Sequence, residues 1–126
     1  MSKVTVKQDK NVLGGPLLAC SYAPLTGFMR DGCCSTGPND SGRHVVCAKV
    51  TQEFLEVQLR MGNDLISPMP QYRFAGLKPG DRWCVCASRW LEAYEADVAP
   101  PVYLEGTNQT ALEIIPLETL LEHSIV

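Results

Sequence analysis

The sequence lacks any apolar run that approaches the roughly 18 residues of a membrane-spanning helix. Its first residues, MSKVTVKQDKN, lack the apolar core that is typical of a signal peptide. Residues 91–126 contain no lysine or arginine, and the basic residues elsewhere are scattered rather than clustered into a nucleic-acid footprint. We therefore expect a cytoplasmic protein that binds neither membranes nor nucleic acids.

Several catalytic and metal-binding patterns are also missing. The sequence has no nucleotide-binding fingerprint, no nucleophile elbow and no paired-carboxylate spacing. No two of the six cysteines are separated by the about two to four residues of a zinc knuckle. Function must therefore be sought in residues that the fold brings together.

What is present is the composition of an ordinary globular domain. The chain has 126 residues, of which 45% are hydrophobic and 20% are charged. We predict a single compact α+β domain over residues 1–126, with a small mixed β-sheet, about three helices and two long ordered loops. Residues 1–10 are expected to form an edge strand or a flexible N-terminus.

The clearest stretch is residues 77–90, LKPGDRWCVCASRW, which reads as a turn, a strand and the start of a helix capped by Ser88. A second strand over 44–50 is followed by a helix from the cap Thr51 to about Met61. Breakers in 19–43 and 63–78 indicate the two long loops. Further strands are predicted at 102–105 and 111–115, and a last helix after Pro116. The predicted core comprises Val46, Ala48, Val50, Phe54, Leu55, Trp83, Val85, Ala87, Leu91 and Leu120.

Several strings resemble one bacterial family. They are PLTGFMRDGCCSTGP at 24–38, HVVCA at 44–48, GNDL at 62–65, GLKPGDRWCVCASRW at 76–90 and APP at 99–101. The resemblance, to the family known as domain of unknown function 2237, runs from about Asn11 to His123. It implies a shared fold and supplies no activity or catalytic residue. This chain has Ala23 where the family tends to have Asp, and Asn108 where it tends to have His.

The cysteines are the leading candidates for chemistry. Adjacent Cys33 and Cys34, and Cys84 and Cys86 on one strand, are poorly placed to bridge each other, so free thiols are the default expectation. Cys86 precedes a helix N-terminus, whose unpaired amides favour a thiolate. The predicted active feature is a cysteine-centred site where segment 30–47 meets strand 84–86. The candidates for a reactive thiol are Cys86, Cys84 and Cys34.

The same cysteines have two other interpretations. Their ligand types would suit a zinc ion, with Cys33, Cys34, Cys84 and Cys86 as candidate ligands and Cys47 or His44 as a further one. His44 and Cys47 would, however, face opposite sides of a regular strand. Alternatively, most of them are small buried hydrophobic residues.

A different class of function is a non-catalytic module that binds a small anionic ligand. Charged residues of the two long loops and of the strands beside them could converge for this purpose. Taken singly, each is also explained as a turn, capping or structural residue. The candidates are Arg30, Asp31, Arg43, His44, Asp64 and Arg82.

Overall fold

The computed structural model describes residues 9–37, 40 and 43–125, so the edge strand expected at 2–7 lies outside the described part. In this described part, two strands, three helices and short 3-10 turns follow one another along the chain. They are β1 (His44–Lys49), α1 (Gln52–Arg60), β2 (Arg82–Cys86), α2 (Ala87–Glu95) and α3 (Leu117–Glu122). The predicted α+β class and the number of helices are confirmed.

Strands β1 and β2 pair antiparallel, and their pairing is irregular at one end. Cys47 lies opposite Cys84 and Ala48 opposite Trp83, whereas a bulge separates the His44–Cys86 pair from the regular ladder. Among the described residues, the sheet is therefore two-stranded and antiparallel rather than mixed as predicted. Outside it, isolated bridges join Val102 to Ala48 in the antiparallel sense and to Ser124 in the parallel sense.

Both faces of this ribbon are buried. Val46, Val85 and Ala87 lie in the main core with residues of the three helices, as predicted. The other face carries a second, smaller cluster made of cysteines. Trp83 and Leu91, which were also expected in the main core, are only partly buried and pack against it. The remaining predicted core residues are fully buried: Ala48, Val50, Phe54, Leu55 and Leu120.

The start of α1 is predicted correctly from the local sequence, whereas the start of α2 is not. Thr51 caps α1, and its hydroxyl accepts the backbone N–H of Phe54 at 3.1 Å, as predicted. Ser88, however, lies inside α2, and the cap position is Cys86. The N–H of Ala87, the first residue of the helix, bonds to the carbonyl of Arg43 and so needs no side-chain cap from Ser88.

The two strands predicted in the C-terminal third are not formed. Residues 104–106 and 109–113 are 3-10 turns, and within the two predicted strands only Val102 makes bridge contacts. The second turn forms because the Asn108 side chain accepts the N–H of Thr110 and so caps it. The segments 19–43 and 63–78 are long loops in their described parts, apart from a single turn at Pro70–Tyr72. No helix of the described chain is long and apolar enough to cross a membrane.

Candidate functional site

A cleft of about 350 Å³ lies where β2 runs into α2. One long loop, the first residue of β1 and the segment after α1 complete its walls, so it sits at the predicted junction of segment 30–47 with strand 84–86. Its lining residues are Gly27, Phe28, Arg30, His44, Asn63, Leu65, Trp83, Cys84, Val85, Cys86 and Arg89.

The bulge in β1 brings His44 to this cleft. Val45 and Val46 both enter the main core, so the side-chain alternation is broken between them and His44. His44 therefore shares a face with the strand-paired Cys86, and directly opposite residues have Cβ atoms about 4.5–5.5 Å apart. The expectation that His44 and Cys47 lie on opposite faces assumed a regular strand and is wrong for this reason.

Asp40 holds the His44 ring. Its Oδ1 lies 2.6 Å from His44 Nδ1, and its Oδ2 accepts the backbone N–H of His44 at 2.9 Å and the Thr36 hydroxyl at 3.1 Å. The Asp40 side chain is almost fully buried, whereas that of His44 is 44% exposed. A carboxylate at Nδ1 places the proton of a neutral imidazole there and leaves Nε2 as the base.

The same contacts keep Asp40 ionised. Burial raises the pKa of Asp40, but hydrogen bonds from the backbone and ring of His44, the charge of that ring and the Thr36 hydroxyl together outweigh it. The pKa therefore lies below its usual value. The Asp40–His44 contact is consequently present at neutral pH and is lost only in acid, as pH falls through that lowered pKa.

Aromatic side chains and cations form the rest of the cleft wall. The Phe28 ring stacks on that of His44, with centroids 6.3 Å apart, and the Arg30 guanidinium lies 5.7 Å from the Trp83 ring centroid. Arg89 contributes a second guanidinium, which also pairs with Glu92 at 3.1 Å. Among the described lining residues there are two arginines and a histidine but no carboxylate. The cleft thus favours an anionic group beside an apolar one.

Behind the cleft, four cysteines form two disulfides. Cys20 bonds to Cys47 and Cys34 to Cys84, with Cα separations of 5.6 and 5.3 Å that are ordinary for disulfides. All four are at most 3% exposed. The default expectation of free thiols is therefore wrong for these four residues. The alternative interpretation, that most cysteines are buried, describes their environment correctly.

The buried sulfurs also have metal-site geometry. The sulfur atoms of Cys20, Cys34 and Cys47 all lie within 4.8 Å of one another. Of the predicted ligands, this group contains Cys34 and the further candidate Cys47, but not Cys33, Cys84 or Cys86. The cluster could hold a metal ion if its disulfides were reduced.

Cys33 and Cys86 lie outside both disulfides and are partly buried. Burial, followed by the charges of Asp31 and Asp9, raises the pKa of the Cys33 thiol. A raised pKa makes Cys33 a weaker nucleophile at neutral pH, and Cys86, unlike Cys33, lines the cleft.

The predicted anion-binding residues do not all converge. Arg30 and His44 line the cleft. Arg43 instead pairs with Glu113. Arg82 lies over the Tyr103 ring, with its guanidinium carbon 3.9 Å from the ring centroid, and lines two other depressions of the surface. Asp31 and Asp64 act within their own turns. Asp31 accepts the N–H of Cys33, and Asp64 accepts those of Ile66 and Ser67, which lower the pKa of Asp64 with Ser67 contributing most.

Sequence reasoning missed Asp40, Arg89 and Cys20 as members of the site. Asp40 and His44 are four residues apart, and this spacing could have indicated a carboxylate–imidazole contact. It does so only if the chain turns tightly between the two residues. The disulfide partners come from distant segments, and no local pattern identifies such pairs.

No curated protein is significantly similar to the chain. A family model described as an uncharacterized protein conserved in bacteria (DUF2237) matches residues 10–124. The match covers nearly the whole chain and agrees with the strings noted above. The cysteines of this chain form a cysteine-centred site. The chain itself belongs to this uncharacterized bacterial family.

Proposed function

We propose that this is a cytoplasmic protein whose function depends on Cys86 as a nucleophile towards small electrophiles that carry an anionic group. The observation that carries the proposal is the buried Asp40 carboxylate, 2.6 Å from His44 Nδ1, which orients the imidazole on the face that it shares with Cys86. A thiol, an imidazole and a carboxylate in this order are the parts of an activated cysteine nucleophile.

Each residue has a separate role in this scheme. His44 takes the thiol proton on Nε2 as Cys86 attacks the electrophilic atom, and Asp40 stabilises the imidazolium that forms. Cys86 occupies the cap position of α2, so the dipole of that helix favours the developing thiolate. Arg30 and Arg89 bind the anionic group of the substrate, while Phe28 and Trp83 contact its apolar part.

A thiol-alkylation experiment tests the role of His44. At pH 7.5, we expect His44→Asn to slow alkylation of Cys86 by iodoacetamide by roughly tenfold or more, because general-base help is lost. Asp40→Asn should have a smaller effect in the same direction. Iodoacetate, which is similar in size and negatively charged, should react faster than iodoacetamide relative to a denatured control. Residue-resolved mass spectrometry measures these rates.

Cys33 is the internal control in the same molecules. It lies outside the disulfides, and its rate should be equal in the wild-type protein and in both variants if the fold is intact. An unchanged Cys86 rate in His44→Asn, with an unchanged Cys33 rate, would show that the imidazole does not activate the thiol. An equal preference for both reagents would remove the anionic substrate class.

Zinc binding by the cysteine cluster is a second candidate function. It is favoured by the three sulfurs within 4.8 Å of one another, to which Cys84 adds a fourth through its bond to Cys34. In a cytoplasmic setting thiols are kept reduced, and four thiolates about 2.3 Å from a central ion are a common structural zinc site. Four distant segments would then be joined by the ion instead of by disulfides.

Elemental analysis of protein purified under reducing conditions tests this second function. We expect about one zinc per chain, lost in Cys47→Ser and kept in Cys33→Ser, because only Cys47 belongs to the cluster. Four thiols should also be protected from alkylation until a chelator is added. Zinc-free protein in which every thiol reacts without a chelator would contradict zinc binding and leave the Cys86 proposal untouched.

A further inference from the structure

The two disulfides lie close enough to react with each other. Cys34 belongs to one disulfide, yet its sulfur is within 4.8 Å of both sulfurs of the other, Cys20 and Cys47. The strand pair Cys47–Cys84 holds the two bonds side by side, with Tyr103 packed against them. This arrangement is independent of Cys86 and His44.

One of the disulfides is also next to the cleft. Cys84 is almost fully buried but is one of the residues that line the cleft, whereas its partner Cys34 is not. A small thiol that enters the cleft therefore comes to Cys84 before it comes to Cys34. Attack there makes Cys34 the leaving group, and its thiolate is released towards the second disulfide rather than towards solvent.

We propose that the four buried cysteines form one thiol–disulfide exchange unit that accepts electrons from small dithiols, with Cys34 as the residue that passes reduction from one disulfide to the other. In the first step, one thiolate of the dithiol attacks Cys84, and the Cys34–Cys84 bond breaks. The second dithiol sulfur then displaces Cys84. The products are a cyclic disulfide and two protein thiols, so two electrons have entered the protein.

The second step is internal and needs no further reductant. The Cys34 thiolate attacks Cys47 or Cys20, a new disulfide forms to Cys34, and the displaced sulfur leaves as a thiolate that takes up the proton that Cys34 lost. The number of thiols and disulfides is unchanged in this step. Burial disfavours the thiolate, but the fixed proximity of the sulfurs raises the rate as in other intramolecular reactions.

Partial reduction of the wild-type protein tests the proposal directly. The protein is treated with limiting dithiothreitol in the presence of EDTA, quenched by alkylation and mapped for disulfide pairs. Among molecules with one remaining disulfide, we expect the non-native pairs Cys20–Cys34 and Cys34–Cys47 to reach about one-tenth or more. That fraction corresponds to a free-energy gap between pairings of no more than about 1.4 kcal/mol.

Cys84→Ser extends the test because it removes the native disulfide partner of Cys34, so that the Cys34 thiol is free to attack the Cys20–Cys47 disulfide. This variant should show the same non-native pairs without any reductant, whereas Cys33→Ser should retain both native disulfides. Native Cys20–Cys47 as the sole pair, in both the partly reduced protein and Cys84→Ser, would overturn the proposal. Because the wild-type measurement stands alone, a failure of the variant to fold does not remove the test.

Discussion

Replacing both Cys34 and Cys84 by alanine is expected to lower the free energy of unfolding by about 4 kcal/mol under oxidising conditions. This disulfide closes a ring with a sequence separation of 50 residues, and the loss of the bond restores the chain entropy of that ring to the unfolded state. Removing the Cys20–Cys47 disulfide, with its separation of 27, should cost about 3.5 kcal/mol. Each loss is a large fraction of the free energy of unfolding of a typical domain, which is about 5–15 kcal/mol.

Urea unfolding of the double variants gives these values, with Cys33→Ala as the matched control. Cys33 is adjacent to Cys34 but lies outside both disulfides, so its replacement should change the unfolding free energy by less than about 0.5 kcal/mol. Equal stability of the Cys34/Cys84 double variant and the wild-type protein would mean that this bond does not form in solution. A reductant should lower the stability of the wild-type protein below that of either oxidised double variant, because it breaks both disulfides.

Phe54→Ala is expected to destabilise the protein by about 3–5 kcal/mol. The Phe54 ring is 0% exposed and belongs to the main core, at the start of α1. Its removal costs the transfer free energy of the ring and leaves a cavity in the main core. The surrounding side chains are themselves buried, so they can fill the cavity only in part.

Leu59→Ala provides the comparison within the same helix. Leu59 is 46% exposed, so its replacement should cost less than about 1 kcal/mol. Thermal and urea unfolding of the two variants measure the difference. Similar losses for both residues would mean that α1 does not present Phe54 to the core, and the assignment of its buried face would be wrong.

The secondary structure was predictable where local signals agree. Around α1, the cap Thr51, the acidic first turn and the buried pair Phe54 and Leu55 all favour the same helix. At 111–115 the apolar residues suggested a strand, but the side chain of Asn108 caps a 3-10 turn there. A side-chain hydrogen bond of this kind depends on how the chain enters the turn, and apolar spacing does not reveal it.

The candidate site was predictable only in part. Position alone identified Cys86, because a strand followed at once by a helix places it at a helix N-terminus. His44 could not be joined to it, since a bulge at Val45 decides which way the ring points and no residue in HVVCA signals a bulge. The disulfides depend on contacts between segments up to 50 residues apart, which the strand register creates.

The order of the bonded cysteines along the chain has a covalent consequence. Cys34 lies within the segment closed by Cys20–Cys47, and Cys47 lies within the segment closed by Cys34–Cys84, so the two rings interlock in sequence. A single backbone cut at any position from 20 to 84 therefore leaves one molecule. A protease that nicks either exposed loop adds one water to the mass and releases no fragment until the disulfides are reduced.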